Sequence, residues 1–396
     1  MTTIHAGAVL SPEERLARRR LILRDALSLL TLFLITSVIF TLTWLLHRSF
    51  VNHQQVLGQR WKARGEVALR EGRPKEAVEA LRSALNFVPD RETEIELATA
   101  LAEAGRTTEA TAYFNTLWES APGDGIINLQ LARLAARQGN ELLAVRHYEA
   151  ALDGTWEGNG YGHRREVRLE LAGYFLSRRQ YDQARTQLLI AASNAPDDPA
   201  IKLQIAALLE RAQDSQSALG IYRAVAAERS APVQAEEGAG RTAFALGMYR
   251  VAAEYLGRAI ASPLVSTLTD EQKSADRSML NTASRILVLF PDINLPPRQR
   301  AERILADKDT ARMRLTACAA GSSATAARLS GLVARWGEIP AHITGQQLEQ
   351  QPDLEQTILQ LIYDTETLTA QACGPPAGDD ALLLRIAQNP FAVEQE

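Results

Sequence analysis

The stretch that decides the fold is residues 58–89, GQRWKARGEVALREGRPKEAVEALRSALNFVP. Within it a small residue, Gly65, precedes Ala77 by twelve positions, and a large apolar residue, Leu81, follows Ala77 by four. Gly72 lies between them, where a glycine is typical of a helix end. The stretch therefore predicts two helices that are joined by a short turn and approach closely at their small residues.

This pattern recurs six times between residues 58 and 264. The repeated alanines are spaced by 33, 34, 40, 34 and 34 residues and are Ala77, Ala110, Ala144, Ala184, Ala218 and Ala252. The small residues twelve positions earlier are Gly65, Ala98, Ala132, Ala172, Ala206 and Gly240, and the turn residues are Gly72, Gly105, Gly139, Arg179, Gln213 and Gly247. A single hairpin cannot bury its apolar face alone, so the repeat predicts an α-solenoid of stacked hairpins.

These residues resemble the tetratricopeptide repeat family. The first unit carries the pattern most fully, with Trp61, Gly65, Gly72, Ala77, Leu81, Ala84 and Pro89. The resemblance covers residues 58–264, just over half of the chain. It departs from the family at Arg64, where leucine is usual, and at Leu117 and Val225, which replace a small residue. It implies an all-α fold with about six hairpins that bind extended peptides or partner helices in a concave groove.

In this family the first helix of each hairpin lines the groove. The resemblance therefore implies a lining of Lys62, Glu66, Ile95, Thr99, Leu129, Arg133, Arg137, Leu169, Leu203, Arg211, Glu237, Arg241 and Phe244. Because Arg133 and Arg137 are four residues apart, they share one helix face and suit a carboxylate. We therefore predict that they form, with Arg241, a basic patch for an acidic or C-terminal segment. The alternative is a solvated arginine-rich face paired with Glu103 and Glu170. The family's chaperone-tail clamp needs an asparagine where Glu66 stands, so that specialised function is not predicted.

An apolar run precedes the repeats. Residues 26–46 carry no charge, and a helix of 21 residues spans roughly 32 Å, which matches a hydrocarbon core of about 30 Å. A cleaved signal peptide and a buried core helix are the alternatives, but the run exceeds a usual signal sequence and is apolar on all faces. The arginines before it, Arg15, Arg18, Arg19, Arg20 and Arg24, outnumber Arg48 after it and predict a cytoplasmic N-terminus. No linker composition separates the run from the first repeat, so a continuous helix is expected between them.

One insertion interrupts the period. Residues 153–163 add about six positions after the third repeat, and their four glycines predict a non-helical loop. Trp156 and Tyr161 in this loop are candidates to grip a partner, and a tolerated surface insertion is the alternative.

The period is lost after Pro263, but residues 265–396 still predict helices. The predicted runs are 270–290, 298–319, 323–336, 347–372 and 380–388, with a proline-rich break at 291–297. This region forms either degenerate repeats or a separate helical cap over the last apolar face.

Cys318 and Cys373 are the two cysteines of the chain. Each follows a predicted helical run, and the predicted orientation places both outside the cytoplasm, where disulfides persist. We predict a disulfide between them, with two buried free thiols as the alternative. A redox-catalytic role has less support because no C-x-x-C motif occurs.

Composition and motifs argue against several function classes. The chain has 43 basic and 47 acidic residues, which is unlike a general nucleic-acid binder. Its six histidines show no ligand spacing, and it lacks a G-x-S-x-G motif and a P-loop. We therefore predict no catalytic residues, no metal site and no cofactor.

The sequence as a whole predicts a single-pass inner-membrane protein of the bacterial envelope. The predicted organisation is a cytoplasmic tail (1–25), a membrane anchor (26–46), a tetratricopeptide solenoid (58–264) and a helical C-terminal domain (265–396). Its predicted function is a scaffold or assembly factor that binds partner proteins in the periplasm through the groove, within a membrane complex. The alternatives are a permanent structural subunit of an envelope complex and an enzyme or redox factor in the C-terminal region.

Overall fold

The computed structural model describes residues 12–389, and within them the fold is helical without β-strands. The helices that precede the last repeat's end are α1 (Pro12–Arg70), α2 (Pro74–Phe87), α3 (Arg91–Glu103), α4 (Thr107–Ser120), α5 (Gly125–Arg137), α6 (Glu141–Asp153), α7 (Gly160–Ser177), α8 (Tyr181–Ser193), α9 (Pro199–Arg211), α10 (Ser215–Ala226), α11 (Val233–Ala245) and α12 (Tyr249–Ala261). A short 3-10 helix, Pro263–Thr267, is followed by α13 (Asp270–Leu289), α14 (Pro297–Ala319), α15 (Ser323–Gly337), α16 (Gly345–Gln350), α17 (Pro352–Cys373) and α18 (Gly378–Gln388). The predicted all-α fold is confirmed.

Each predicted hairpin forms at the predicted turn. All six turn residues have a positive φ: 68° at Gly72, 80° at Gly105, 75° at Gly139, 61° at Arg179, 60° at Gln213 and 81° at Gly247. A left-handed residue at this place ends one helix and turns the chain into the next, and glycine adopts that backbone without the clash of a Cβ atom. Arg179 and Gln213 therefore hold a strained backbone in two of the six turns.

The small residues of the pattern mark close approaches between the paired helices. A Cβ atom added at Gly65 would lie 2.5 Å from Cγ of Leu81, and one added at Gly240 would lie 2.6 Å from Cγ of Leu256. Both leucines are fully buried. The small residue of the first helix thus receives the large apolar residue of the second, as the spacing predicts.

Helix α1 joins the apolar run to the first repeat without a break. It has 59 residues, which corresponds to about 88 Å at 1.5 Å per residue. Its C-terminal part packs against α2 and α3 as the first helix of the first hairpin. Among the described helices it is the one long and apolar enough to cross a membrane, and its apolar window is not buried within the structure.

The chain divides into two compact units, Met1–Gly160 and Tyr161–Glu396. The first unit contains hairpins α1–α2, α3–α4 and α5–α6, and the second contains α7–α8, α9–α10 and α11–α12. In the second unit α13 packs against both helices of the last hairpin. The helices after it have their own hydrophobic core, in which Trp336, Leu332 and Ile358 are buried. The domain boundaries predicted from the sequence stay a prediction.

Two local predictions are wrong. The insertion 153–163 is not a loop throughout, because α7 begins at Gly160 and contains Gly162. Each helical glycine costs about 1 kcal/mol, and burial of Val167 and Leu171 on the same helix outweighs that cost. The predicted run 347–372 is two helices, α16 and α17, because Pro352 begins a new helix and cannot continue the old one.

The two cysteines lie at the ends of α14 and α17, where the sequence predicts them. Their sulfur atoms are at disulfide-bonding distance, and their Cα atoms are 6.0 Å apart. Cys318 belongs to the C-terminal hydrophobic core. The pair therefore has the geometry that a disulfide linking α14 to α17 requires.

Candidate partner-binding groove

Lys62 lies among carboxylates in the first unit. Its Nζ atom is 3.5 Å from Asp90, 2.5 Å from Glu92 and 3.9 Å from Glu96. These pairs tie α1 to the start of α3. Lys62 also lines a cavity of about 400 Å³ between α1 and the α2–α3 turn, together with Gln59 and Val88. Asp90 is the one carboxylate in the lining of this cavity, and the other two acids pair with Lys62 outside it.

Glu96 is a half-buried acid on α3 beside Lys62. Burial raises the pKa of Glu96 to about 7, and the charges of Glu66 and Glu92 add to this while Lys62 opposes it. Its Oε2 atom is buried and has no hydrogen-bond partner. Glu66, which the sequence places in the groove, thus faces another acid across the first two hairpins.

The predicted basic pair of α5 is partly used inside the protein. Nη1 of Arg137 donates a hydrogen bond of 3.1 Å to the carbonyl oxygen of Ala102, near the end of α3. The same carbonyl accepts a hydrogen bond of 3.3 Å from the backbone N–H of Gly105, so Arg137 adds a second donor at the end of α3. Arg133 is half-buried on the same helix. Thr99 of α3 is also half-buried, and its hydroxyl donates to the carbonyl of Ile95 at 2.8 Å. The basic patch stays a prediction.

A crevice of about 440 Å³ runs between α7 and α9 in the second unit. Leu169, a predicted groove residue, lies in its wall, and the full lining is Arg165, Glu166, Leu169, Glu170, Ile201, Gln204 and Leu208. The crevice combines apolar walls with charges of both signs. Arg211 is exposed at the end of α9.

A network of hydrogen-bonded polar side chains connects α9, α11 and α13. Glu210 accepts hydrogen bonds from the hydroxyls of Thr242, at 2.7 Å, and Tyr222, at 3.0 Å. Glu237 is buried and accepts a hydrogen bond of 3.2 Å from Nε2 of Gln272. These hydrogen bonds join α9 to α11 and α11 to α13.

Arg241 lies close to the acids of this network. Its Nε atom is 3.7 Å from Oε1 of Glu237. Asp276 of α13 is fully buried, and neither of its carboxylate oxygens has a hydrogen-bond partner. Burial raises the pKa of Asp276 to about 6, Glu237 adds to the rise, and Arg241 opposes it. The charge of Arg241 is therefore balanced by neighbouring carboxylates in the same chain.

Phe244 is contacted by one side chain of the last described helix. The guanidinium of Arg385, on α18, lies 4.9 Å from the centroid of the Phe244 ring. The ring meets Tyr249 edge-on, with centroids 5.6 Å apart. Among the predicted groove residues, Phe244 is thus one that another part of the chain already contacts.

The insertion after α6 is anchored on α5. Nε1 of Trp156 donates a hydrogen bond of 2.9 Å to the carbonyl oxygen of Ala151, and its indole lies where a side chain on Gly125 would stand. Thr155 exchanges backbone hydrogen bonds with Gly123 and Gly125 at 2.8 and 2.9 Å. Trp156 therefore has a structural role, whereas Tyr161 is 87% exposed.

A metal centre is not found in the part of the chain that the structure describes: residues 12–389 contain no group of three or more His, Cys, Asp or Glu side chains arranged to hold an ion.

The repeat geometry agrees with a family model of the tetratricopeptide repeat, which matches residues 95–159 and 169–234. The chain contains tetratricopeptide repeats. The first hairpin, formed by α1 and α2, lies outside the matched segments but has the same turn and the same close approach. The tetratricopeptide repeat is a protein-interaction scaffold and is typically not an enzyme.

Solved structures with similar repeats differ strongly in sequence. PilF of Pseudomonas aeruginosa is 16% identical, with 57% of this chain and 99% of that chain covered and a TM-score of 0.39. MamA from Desulfovibrio magneticus RS-1 is 16% identical, with 42% and 92% covered and a TM-score of 0.33. PilW, described as a widely conserved type IV pilus biogenesis factor, is 16% identical, with 55% and 97% covered and a TM-score of 0.39. No curated protein matches the chain. At these identities and TM-scores no partner or pathway follows for this chain.

Sequence reasoning missed the acids that surround the predicted groove cations. Glu96 and Asp276 are ordinary helical carboxylates in the sequence, and their burial depends on how neighbouring hairpins stack. The burial of Glu96 could have been inferred from the sequence, because Glu96 precedes Leu97 and the close approach at Ala98 on the same helix. Asp276 lies beyond the last repeat and offered no such signal.

Proposed function

We propose that this protein is a membrane-anchored scaffold that binds partner proteins through the concave groove of its tetratricopeptide repeats, on the extracytoplasmic side of the inner membrane. The observation that carries the proposal is the continuity of α1 from the apolar run to the first hairpin. Because no hinge interrupts that helix, a membrane span in it holds the first repeat close to the bilayer. Partners would then be met at a fixed distance from the membrane.

The arginine distribution supports the proposed orientation. Five arginines precede the apolar run and one follows it directly. Basic residues are retained on the cytoplasmic side of a span, so the repeats would lie outside the cytoplasm. The cysteine pair agrees with that placement, since disulfides persist in oxidising compartments.

Protease protection tests the anchor and its orientation. The full chain carries one tag at each end and is expressed in a bacterial host whose spheroplasts are treated with protease. We expect the membrane fraction to retain the N-terminal tag and lose the C-terminal tag. Loss of the N-terminal tag with protection of the C-terminal one would show the opposite orientation. Release of the intact chain by alkaline extraction would contradict the membrane anchor.

Capture from membranes tests the groove. Gln204 is exposed in the crevice between α7 and α9, whereas Gln216 is exposed on α10, the second helix of its hairpin. Gln204→Arg puts a bulky charge into the crevice, and Gln216→Arg is the matched control. We expect Gln204→Arg to reduce recovery of the proteins that the detergent-solubilised chain captures, and Gln216→Arg to leave recovery unchanged. Equal recovery with both variants would show that this crevice is not the binding surface.

A further inference from the structure

The first hairpin exposes a surface that every later hairpin buries. Arg64 lies thirteen positions before the repeated alanine Ala77, and the residues at the same position of the later repeats are Leu97, Leu131, Leu171, Ile205 and Ala239. All five are buried, whereas Arg64 is exposed. Leu97, for example, shares a hydrophobic core with Leu81 of the preceding hairpin. Because no hairpin precedes α1 among the described residues, the position of Arg64 belongs to an open stacking surface.

Helix α1 carries an apolar and basic stripe along this surface. The exposed residues of the stripe recur at helical spacing and are Val56, Arg60, Ala63, Val67 and Arg70. Val67 is 40% exposed, whereas its equivalents in the next two repeats, Ala100 and Leu134, are at most 2% exposed. We call the stripe and Arg64 the outer face of α1. A cavity of about 490 Å³ on this face is lined by Ala63, Arg64, Val67, Ala68, Arg73 and Glu76.

The outer face is basic, and its charge is not balanced within the described chain. Within residues 12–389 its arginines without an ion pair are Arg60, Arg64 and Arg70. Glu76, the one acid in the cavity lining, pairs with Arg73. Three guanidinium groups are therefore available to carboxylates of another molecule. An end that needed only to be soluble would not require the exposed valines between them.

Lipid and a second copy of the chain both fit the outer face poorly. Arg60 lies fourteen residues after Leu46, the last residue of the apolar run, which corresponds to about 21 Å of unbroken helix. The headgroup layer extends only about 5–8 Å beyond the hydrocarbon core, so it does not reach this face. A second copy presents the same arginines, which repel their counterparts. The last hairpin of a second copy is covered by its own α13.

From this surface we propose that the outer face of α1 binds an acidic helix of a partner protein, which stacks on the first hairpin in the place of a preceding hairpin. Apolar side chains of that helix pack on Val56, Ala63 and Val67, and its carboxylates pair with the three arginines. The inference goes beyond the groove function, because a helix bound here leaves the concave side of the repeats free.

A designed peptide tests the chemistry of the outer face. The probe is a fluorescent helical peptide of about five turns with leucines on one face and glutamates beside them, and its counterpart has lysines in place of the glutamates. The full chain is held in nanodiscs of neutral lipid. Arg60→Glu with Arg64→Glu should weaken binding of the acidic peptide about tenfold, because two attractions become repulsions.

The control for the peptide is Arg146→Glu with Arg223→Glu, which changes exposed arginines of α6 and α10. This variant should bind the acidic peptide as wild type does. Equal affinity of wild type for both peptides, or an equal loss in both double variants, would overturn the proposal. Binding that anionic lipid in the nanodisc abolishes would show that lipid headgroups occupy the face, which also overturns it.

Photo-crosslinking in native membranes identifies the occupant. A photoactivatable residue replaces Ala63 in the cavity wall, and the control replaces Ala112, which is exposed on α4. Ala63 should crosslink to a protein segment rich in Asp and Glu, as sequenced by mass spectrometry, and Arg60→Glu with Arg64→Glu should remove this product. Gln204→Arg, which tests the groove, should leave it unchanged. Crosslinks to a basic segment, to lipid or to a second copy, the same products from Ala112, or no product would overturn the proposal.

Discussion

At the residue scale, the backbone conformation of the turns favours glycine at the turn position of each repeat. All six turns use a left-handed residue, but Arg179 and Gln213 have side chains where the other four have glycine. A side chain in this conformation costs roughly 1 kcal/mol. A glycine at either of these two turns would therefore remove the strain and stabilise the protein.

The first prediction is that introducing a glycine at one turn stabilises the protein, whereas removing a glycine from an equivalent turn destabilises it. Gln213→Gly should raise the free energy of unfolding by roughly 0.5–1 kcal/mol, because glycine adopts the positive φ without strain. Gly105→Ala should lower it by roughly 1 kcal/mol for the converse reason. Urea unfolding followed by circular dichroism measures both. Destabilisation by Gln213→Gly would show that the side chain at this turn supplies more than the backbone strain costs.

A second prediction concerns the close approach of paired helices. Gly65→Ala would push a Cβ atom into Leu81 and should destabilise the protein by about 1–3 kcal/mol, as overpacking does in cores. Gly173→Ala is the control, since a Cβ atom there meets nothing and alanine favours the helix by up to about 1 kcal/mol. The same urea experiment compares them, and equal effects would remove the packing explanation for the small residues.

The repeat positions were predictable from the sequence because they are local. Gly65 and Leu81 meet within one hairpin, and their spacing is fixed by helix geometry and turn length. The surroundings of Arg241 were not predictable, because Asp276 approaches it from α13, beyond the last hairpin. Which charged side chains surround a predicted groove residue thus depends on how neighbouring helices pack.

At the element scale, the C-terminal helices hold carboxyl groups that favour the protonated form. Burial raises the pKa of Asp307 to about 7 and of Glu366 to about 8, and neighbouring acids add to both shifts. The ordinary pKa of such groups in an unfolded chain is about 4. Their contribution to stability is therefore complete below about pH 4 and is lost as pH rises through 7 to 8.

The third prediction follows from that sign. The urea midpoint of the full chain should fall between pH 5 and pH 8.5, and Glu366→Gln should make the fall smaller, because the amide does not ionise. Glu349→Gln, at an exposed position on α16, is the control and should keep the wild-type dependence. A pH profile that Glu366→Gln leaves unchanged would show that this carboxyl does not ionise over the range.

The fourth prediction concerns the link between α14 and α17. The cysteines are separated by 55 residues, and a disulfide over such a separation stabilises by about 4 kcal/mol on a chain-entropy basis. Cys318→Ser with Cys373→Ser should therefore lower the urea midpoint, and reductant should do the same to wild type alone. Mass spectrometry of unreduced peptides reports the bond directly. Two free thiols in protein isolated from an oxidising compartment would contradict the pairing.

At the scale of the whole molecule, the sequence predicted the class of architecture and most helix boundaries. The period of the alanines identified the hairpins, and the apolar run joined the first of them as a continuous helix. The return of α18 to Phe244 was not predictable, because α18 is far from Phe244 in sequence and its contact depends on how α13 to α17 fold. The sequence shows a helix at residues 380–388 but not what it covers.

The most direct test of the central claim is photo-crosslinking from the groove in native membranes. Thr99 lies on the first helix of the second hairpin and Thr116 on the second helix, where it is exposed. Each threonine hydroxyl donates to the carbonyl four residues earlier, so the two sites are matched in local structure. A photoactivatable residue replaces one threonine at a time in the full chain. A membrane-anchored groove scaffold should give defined protein crosslinks from Thr99 that Thr116 does not give. Crosslinks from Thr116 alone, or identical products from both, would contradict binding through the concave groove.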